Sequence, residues 1–283
     1  MATGHSKRRR SYVVLCAGLV LVIALFGVRA QYTSTVYYSL VAFQITVLCI
    51  AAWKLGASAV RTEVEARRRL AVAGALLIMP WVLFSWLAGF GTPWQATAAE
   101  NQLRYLVLVI SSMVVAGGLI VLKEALSEAG ERFYSPLGFA AILLASALYL
   151  IWATILLYEW SARARVGSGP LPLGLNTMSD MSDYLLFFGG VLTYVASAAF
   201  AASLGRTQWL GRRAARGFVA ASCFAVLCLV VRGPVYLSPT AAFEHWYDIP
   251  GFVVGIPAIP WIMPMMFGVA LLRRAGDGQC RSE

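Results

Sequence analysis

"RRRLAVAGALLIMPWVLFSWLAGF", Arg67 to Phe90, decides the fold. After three arginines the chain runs from Leu70 to Phe90 without a charged side chain. A bilayer's hydrocarbon core is about 30 Å thick, and roughly 20 helical residues cross it. Pro80, in the middle of the run, would end most soluble helices, but membrane helices tolerate it when neighbouring groups satisfy the freed backbone. The stretch reads as a transmembrane helix with a cationic flank on one side.

Seven further runs of this kind follow from the same criterion, giving spans near 11–28, 37–53, 70–90, 104–122, 137–158, 184–204, 216–232 and 249–272. They use most of the 283 residues, and no connector is long enough to fold as a soluble domain. A content of 60% apolar and 13% charged residues agrees, since soluble domains carry roughly 25% charged residues. The expected architecture is an all-α integral membrane protein, a bundle of eight transmembrane helices forming one polytopic domain over 1–283. Residues 1–10 and 275–283 are short tails. Val28-Arg29-Ala30 also fits a signal-peptidase site. Cleavage there would leave seven helices, but the apolar run before it is longer than signal peptides use, so an uncleaved first span is expected.

The +10 net charge invites a nucleic-acid reading, but its distribution argues against one. With eight spans, only Arg29, Arg104, Arg163, Arg165 and Arg232 of the 23 Lys and Arg residues fall on one side. The others cluster at the N-terminus, in alternate connectors and in the C-terminal tail. Cytoplasmic loops carry such an excess, so both termini are expected inside (N-in/C-in), with the surplus charge attracted to anionic lipid. Twenty arginines against three lysines, with abundant alanine, suggest a bacterial inner membrane. The expected partners are the lipid bilayer and a small-molecule or lipid ligand, with no nucleic acid.

Several chemistries lack their residues. A membrane haem needs a histidine within a span, and the two histidines are His5 in the basic tail and His245 in a connector. No H-E-x-x-H zinc motif and no phosphate-binding G-x-x-x-x-G-K-[ST] occurs. Retinal would need a mid-span lysine, and a proton relay a mid-span carboxylate; neither is present. The five cysteines form no C-x-x-C pair and read as small apolar residues. No cofactor, metal site or catalytic residue is assigned.

The candidate ligand residues lie at span ends and near one helix break. Arg232 closes an apolar run just before Pro234, placed either to clamp an anionic group or to snorkel to the headgroups. Arg104 opens its span in the same way. Asp183, with Asp180, precedes a span and reads as a helix cap or as a partner for Arg232. His245 and Asp248 lie in "EHWYDIP", either a base oriented by a carboxylate or an interfacial helix start. Pro250 fits the first turn of the last span, whereas Pro257, Pro260 and Pro264 must disturb that span. Trp81 in the third span and Trp261, beside Pro260, would then line an aromatic pocket.

The expected function is a carrier or ligand-binding membrane protein with an outward-opening cavity near spans three and eight. Two alternatives stand beside it: an outer-leaflet lipid-modifying enzyme using His245 and neighbouring carboxylates, and a structural or assembly subunit.

Overall fold

A computed structural model describes residues 2–30, 32–166, 174–234 and 248–277. Among these the chain is helical throughout. The helices are α1 (Ala2–Gly27), α2 (Ser34–Leu55), α3 (Glu65–Phe84), α4 (Ala98–Glu128), α5 (Tyr134–Val166), α6 (Leu175–Arg206), α7 (Arg212–Arg232), α8 (Asp248–Gly255) and α9 (Ile262–Asp277). Short 3₁₀ turns follow α2 and α3 and precede α9. Six helices, α2 to α7, are long and apolar enough to cross a membrane. A seventh crossing is available if α8 and α9, which meet at a 67° bend, form one broken span. The apolar part of α1, Arg10–Phe26, is shorter.

Helices α3 to α7 pack in chain order, each against the next, and α9 returns to lie against α3. Short connectors impose this order, because a brief loop can only join antiparallel neighbours. The α3–α9 contact is close because both helices carry glycine where they meet. A Cβ on Gly74 would stand 2.9 Å from the Gly268 carbonyl oxygen, and one on Gly268 would stand 2.8 Å from that of Gly74. Small residues allow such backbone approach in lipid, where dispersion replaces the hydrophobic effect as the force between helices.

The prolines of the last span explain its break. In a continuous helix the carbonyls of Val253 and Ile256 would accept from residues 257 and 260, but both are prolines without an N–H. Val253 O instead accepts from Ile256 N (3.2 Å) and Ile256 O from Ile259 N (2.9 Å), a 3₁₀ pattern that turns the chain. Pro250 and Pro264 fall in the first turns of α8 and α9, where no donor is needed. The Val254 carbonyl, freed by the break, takes the Tyr194 hydroxyl of α6 at 3.0 Å. Tyr194→Phe is expected to destabilise the protein by about 1 kcal/mol, the usual worth of an interhelical hydrogen bond in lipid. Unfolding in mixed micelles checks this; an unchanged midpoint would mean the carbonyl is satisfied otherwise.

One polar device ties the connector between α4 and α5 to α6. Glu131 is 4% exposed. One carboxylate oxygen accepts from Phe133 N and Tyr134 N (3.0 Å each), and the other from Ser135 N (2.7 Å) and the Ser203 hydroxyl (3.0 Å). The carboxylate therefore satisfies the orphan donors at the start of α5 and bonds to the last turns of α6. Burial pushes its carboxyl upward. The N–H groups of Tyr134, Ser135 and Phe133 and the Ser203 hydroxyl outweigh that and bring it from 4.5 to about 2.

Candidate functional site

The centre of the bundle is packed with aromatic rings. Trp81 and Trp261 are each 1% exposed. The Phe84 ring stacks on Trp261 at 5.9 Å and meets Trp81 edge-on at 5.3 Å. Tyr149 of α5 meets Trp261 edge-on at 5.4 Å, and Trp152 and Tyr105 continue the row. The residues expected to line a pocket thus fill the space between α3, α5 and α9, and neither tryptophan lines a cavity described below. Pro260, also buried, holds the 3₁₀ turn that points Trp261 inward.

A cavity of about 460 Å³ instead lies at the end of the bundle where the α1–α2 and α3–α4 connectors meet. The two connectors are joined by a backbone bond from Ala30 N to Gly89 O (3.0 Å), and Gly89 N donates to Leu25 O at the end of α1 (2.8 Å). Gly89 and Gly91 have φ of +81° and +67°, a left-handed conformation that a side chain would strain. A Cβ on Gly91 would also press within 2.9 Å of the Arg29 side chain. The cavity walls are Tyr32, Tyr37, Tyr38 and Phe90, with Arg29 and Glu100 as their charged members. Tyr37 stacks on Phe90 and donates its hydroxyl to the Trp86 carbonyl, while Tyr38 is exposed.

Arg29 Nη1 bonds to Glu100 Oε2 at 2.8 Å and to Phe90 O at 3.2 Å. Both members of this ion pair keep part of their side chain exposed. Glu100 is fixed independently: Thr97 N donates to Oε2 at 2.6 Å, and Glu100 N donates to the Thr97 hydroxyl at 3.3 Å. This capping box sets the start of α4 and turns the carboxylate toward the cavity.

Arg104 lies one turn deeper and is 2% exposed. It does not snorkel. Nη1 donates to Asn101 Oδ1 (2.7 Å), Nη2 to the Gly91 carbonyl (2.6 Å), and the guanidinium lies 5.7 Å from the Phe26 ring centre. Asn101 in turn donates to Pro93 O at 2.7 Å. Together Arg104 and Asn101 anchor the 88–97 connector, the floor of the cavity. A buried cation is tolerated there because carbonyl dipoles and an aromatic face replace its water.

Of the remaining expected residues, those described lie elsewhere at this end. Arg232 ends α7, half-buried, with its guanidinium nitrogens shielded. A Cβ on Gly251 of α8 would stand 2.6 Å from Arg232 Cβ, so the two helices touch there. Asp183 is half-buried on α6, at the same end of the α6–α7 pair. Asp248 is the first residue of α8, and His245 lies outside the described residues. Glu159 finds its partner one turn on, bonding to Arg163 at 2.7 Å. Sequence reasoning missed Tyr32, Tyr37, Tyr38 and the Arg29–Glu100 pair as a site. The T-x-x-E pattern at Thr97 was the available signal for Glu100. No family model, curated protein or solved structure matches the chain.

Proposed function

We propose that the chain crosses the cell membrane eight times, with both termini cytoplasmic. It acts as a carrier or ligand-binding membrane protein that takes up a small zwitterion from the outer side. The count of eight includes α1 as the first span and the bent α8–α9 pair as the last. The orientation rests on the asymmetry of lysine and arginine.

The observation that carries the ligand reading is the Arg29–Glu100 pair in a tyrosine-walled cavity. A cation and an anion side by side match the carboxylate and ammonium of a zwitterion, and the tyrosine faces suit its apolar or aromatic body. The place of this cavity, where the α1–α2 and α3–α4 connectors meet, supports an opening at that end rather than near spans three and eight.

Calorimetric titration of the full-length chain in nanodiscs, with L-phenylalanine as zwitterionic probe and its N-acetyl methylamide as neutral control, tests this. Binding of the probe but not the control is expected. Glu100→Gln, which keeps a cap acceptor for Thr97 N, should weaken it about tenfold, or about 1.4 kcal/mol. Equal heats for probe and control, or an unaltered affinity in the variant, would sink the reading.

A further inference from the structure

At the opposite end of the bundle, a second cavity of about 560 Å³ lies where α6 ends and α7 begins. Its rim carries Arg206 from α6 and Arg212 and Arg216 from α7, and its floor is formed by Ala202, Val219 and Ala220. The two helices close on each other at the rim, where a Cβ on Gly205 would stand 2.7 Å from that of Ala215. The cavity is therefore a slot with three guanidinium groups at its mouth and small apolar side chains along its wall. Ala220 is exposed, so the wall faces outward from the bundle.

Several other basic residues at this end have protein partners. Arg68 and Arg69 pair with Glu65, Arg69 also with Glu128, and Lys123 with Glu124. Arg67 donates to the Ala275 carbonyl at the end of α9 (3.0 Å). Among the described residues, no carboxylate pairs with Arg206, Arg212 or Arg216; Arg206 has the Tyr134 ring, at 5.5 Å. Helix stability does not account for Arg212 and Arg216 either. They occupy the first turns of α7, where the dipole disfavours positive charge. In the comparable basic cavity near Lys54, Arg61 and Arg67, Lys54 and Arg61 end their helices, where the dipole favours cations, and Arg67 is held by the Ala275 carbonyl.

We infer that this slot binds an anionic phospholipid. The phosphate sits among Arg206, Arg212 and Arg216, and one acyl chain lies along Ala202, Val219 and Ala220. Guanidinium groups suit a phosphate diester through paired N–H donors, and basic pockets at the cytoplasmic ends of membrane helices hold anionic headgroups. The inference uses the bilayer setting but not the ligand cavity at the other end.

The test is native mass spectrometry of the detergent-purified full-length chain. It is offered phosphatidylglycerol, phosphatidylcholine with the same acyl chains, or glycerol 3-phosphate. Phosphatidylglycerol should be retained at least tenfold better than phosphatidylcholine, and glycerol 3-phosphate should not be retained. Arg206→Gln with Arg216→Gln should cut phosphatidylglycerol retention about tenfold, whereas Arg213→Gln, an exposed neighbour off the lining, should leave it unchanged. Ala220→Trp keeps every charge and fills the slot, so it should also lower retention if the double variant folds poorly. Equal retention of the two lipids would overturn the proposal, leaving the arginines as topology signals. So would undiminished binding in both the double variant and Ala220→Trp, or tight binding of glycerol 3-phosphate alone, which would mark a soluble-anion site.

Discussion

Glu131→Ala is expected to lower the stability of the folded bundle by about 3 kcal/mol at neutral pH, read as a shifted unfolding midpoint in mixed micelles. The magnitude follows from the carboxyl's displacement from 4.5 to about 2, since each pKa unit is worth about 1.4 kcal/mol. The sign also follows. A carboxylate held below its unfolded value contributes in full above that value and loses its contribution as pH falls through the folded one. The wild-type chain should therefore weaken progressively between about pH 4.5 and pH 2, and the alanine variant should lack that component. Glu131→Gln separates charge from shape: it keeps one acceptor but adds a donor where Ser135 N and the Ser203 hydroxyl already donate. It should recover less than half of the loss. A variant as stable as wild type, with the same acid profile, would show that α5 starts without this cap.

Trp261→Ala is expected to cost about 3 kcal/mol, near the lower end for emptying a large aromatic site in a soluble core. The lower end applies because lipid tails are as apolar as the ring, so the transfer contribution largely drops out and the unfilled space remains. Phe84 and Tyr149 flank the indole, and the 3₁₀ turn at Pro260 fixes its direction, so the neighbours have little freedom to collapse. Trp261→Phe, which keeps a ring between Phe84 and Tyr149, should recover most of the loss. A loss below about 1 kcal/mol in the alanine variant would mean that α9 shifts to close the gap.

Much of the architecture was legible in the chain. Leu70–Phe90 and its counterparts had the length of membrane spans, and Pro257, Pro260 and Pro264 announced a disturbed last span. The break between α8 and α9 follows directly, since Pro257 and Pro260 withhold the N–H groups that Val253 and Ile256 need. The first span was the hardest to read, because the apolar part of α1 is short and its flank also fits a signal peptide.

The site was harder to read than the spans. Arg29 and Glu100 are 71 residues apart, and nothing local to either one predicts the other. Arg104 looked like a snorkelling residue at a span end. It proved buried because Asn101, one turn back on α4, supplies one acceptor and the Gly91 carbonyl, which only the folded 88–97 connector brings within reach, supplies another. Trp81 and Trp261 were expected to line one aromatic pocket, but whether such rings line a space or fill it depends on how Phe84 and Tyr149 meet Trp261 in the folded chain.

By itself, the sequence determined a bundle of long apolar helices suited to a membrane and a disturbance in the last of them. Those properties follow from hydrocarbon thickness and from missing backbone donors, which act within one segment. Only the tertiary structure decided which side chains face inward. In a soluble helix the apolar stripe marks the buried face, but in lipid both faces are apolar. Phe200 is fully buried and Phe224 is 61% exposed, although both sit in apolar helical surroundings. With that signal gone, the ring-filled centre, the tie from Glu131 to Ser203 and the Arg29–Glu100 cavity come from how the helices dock.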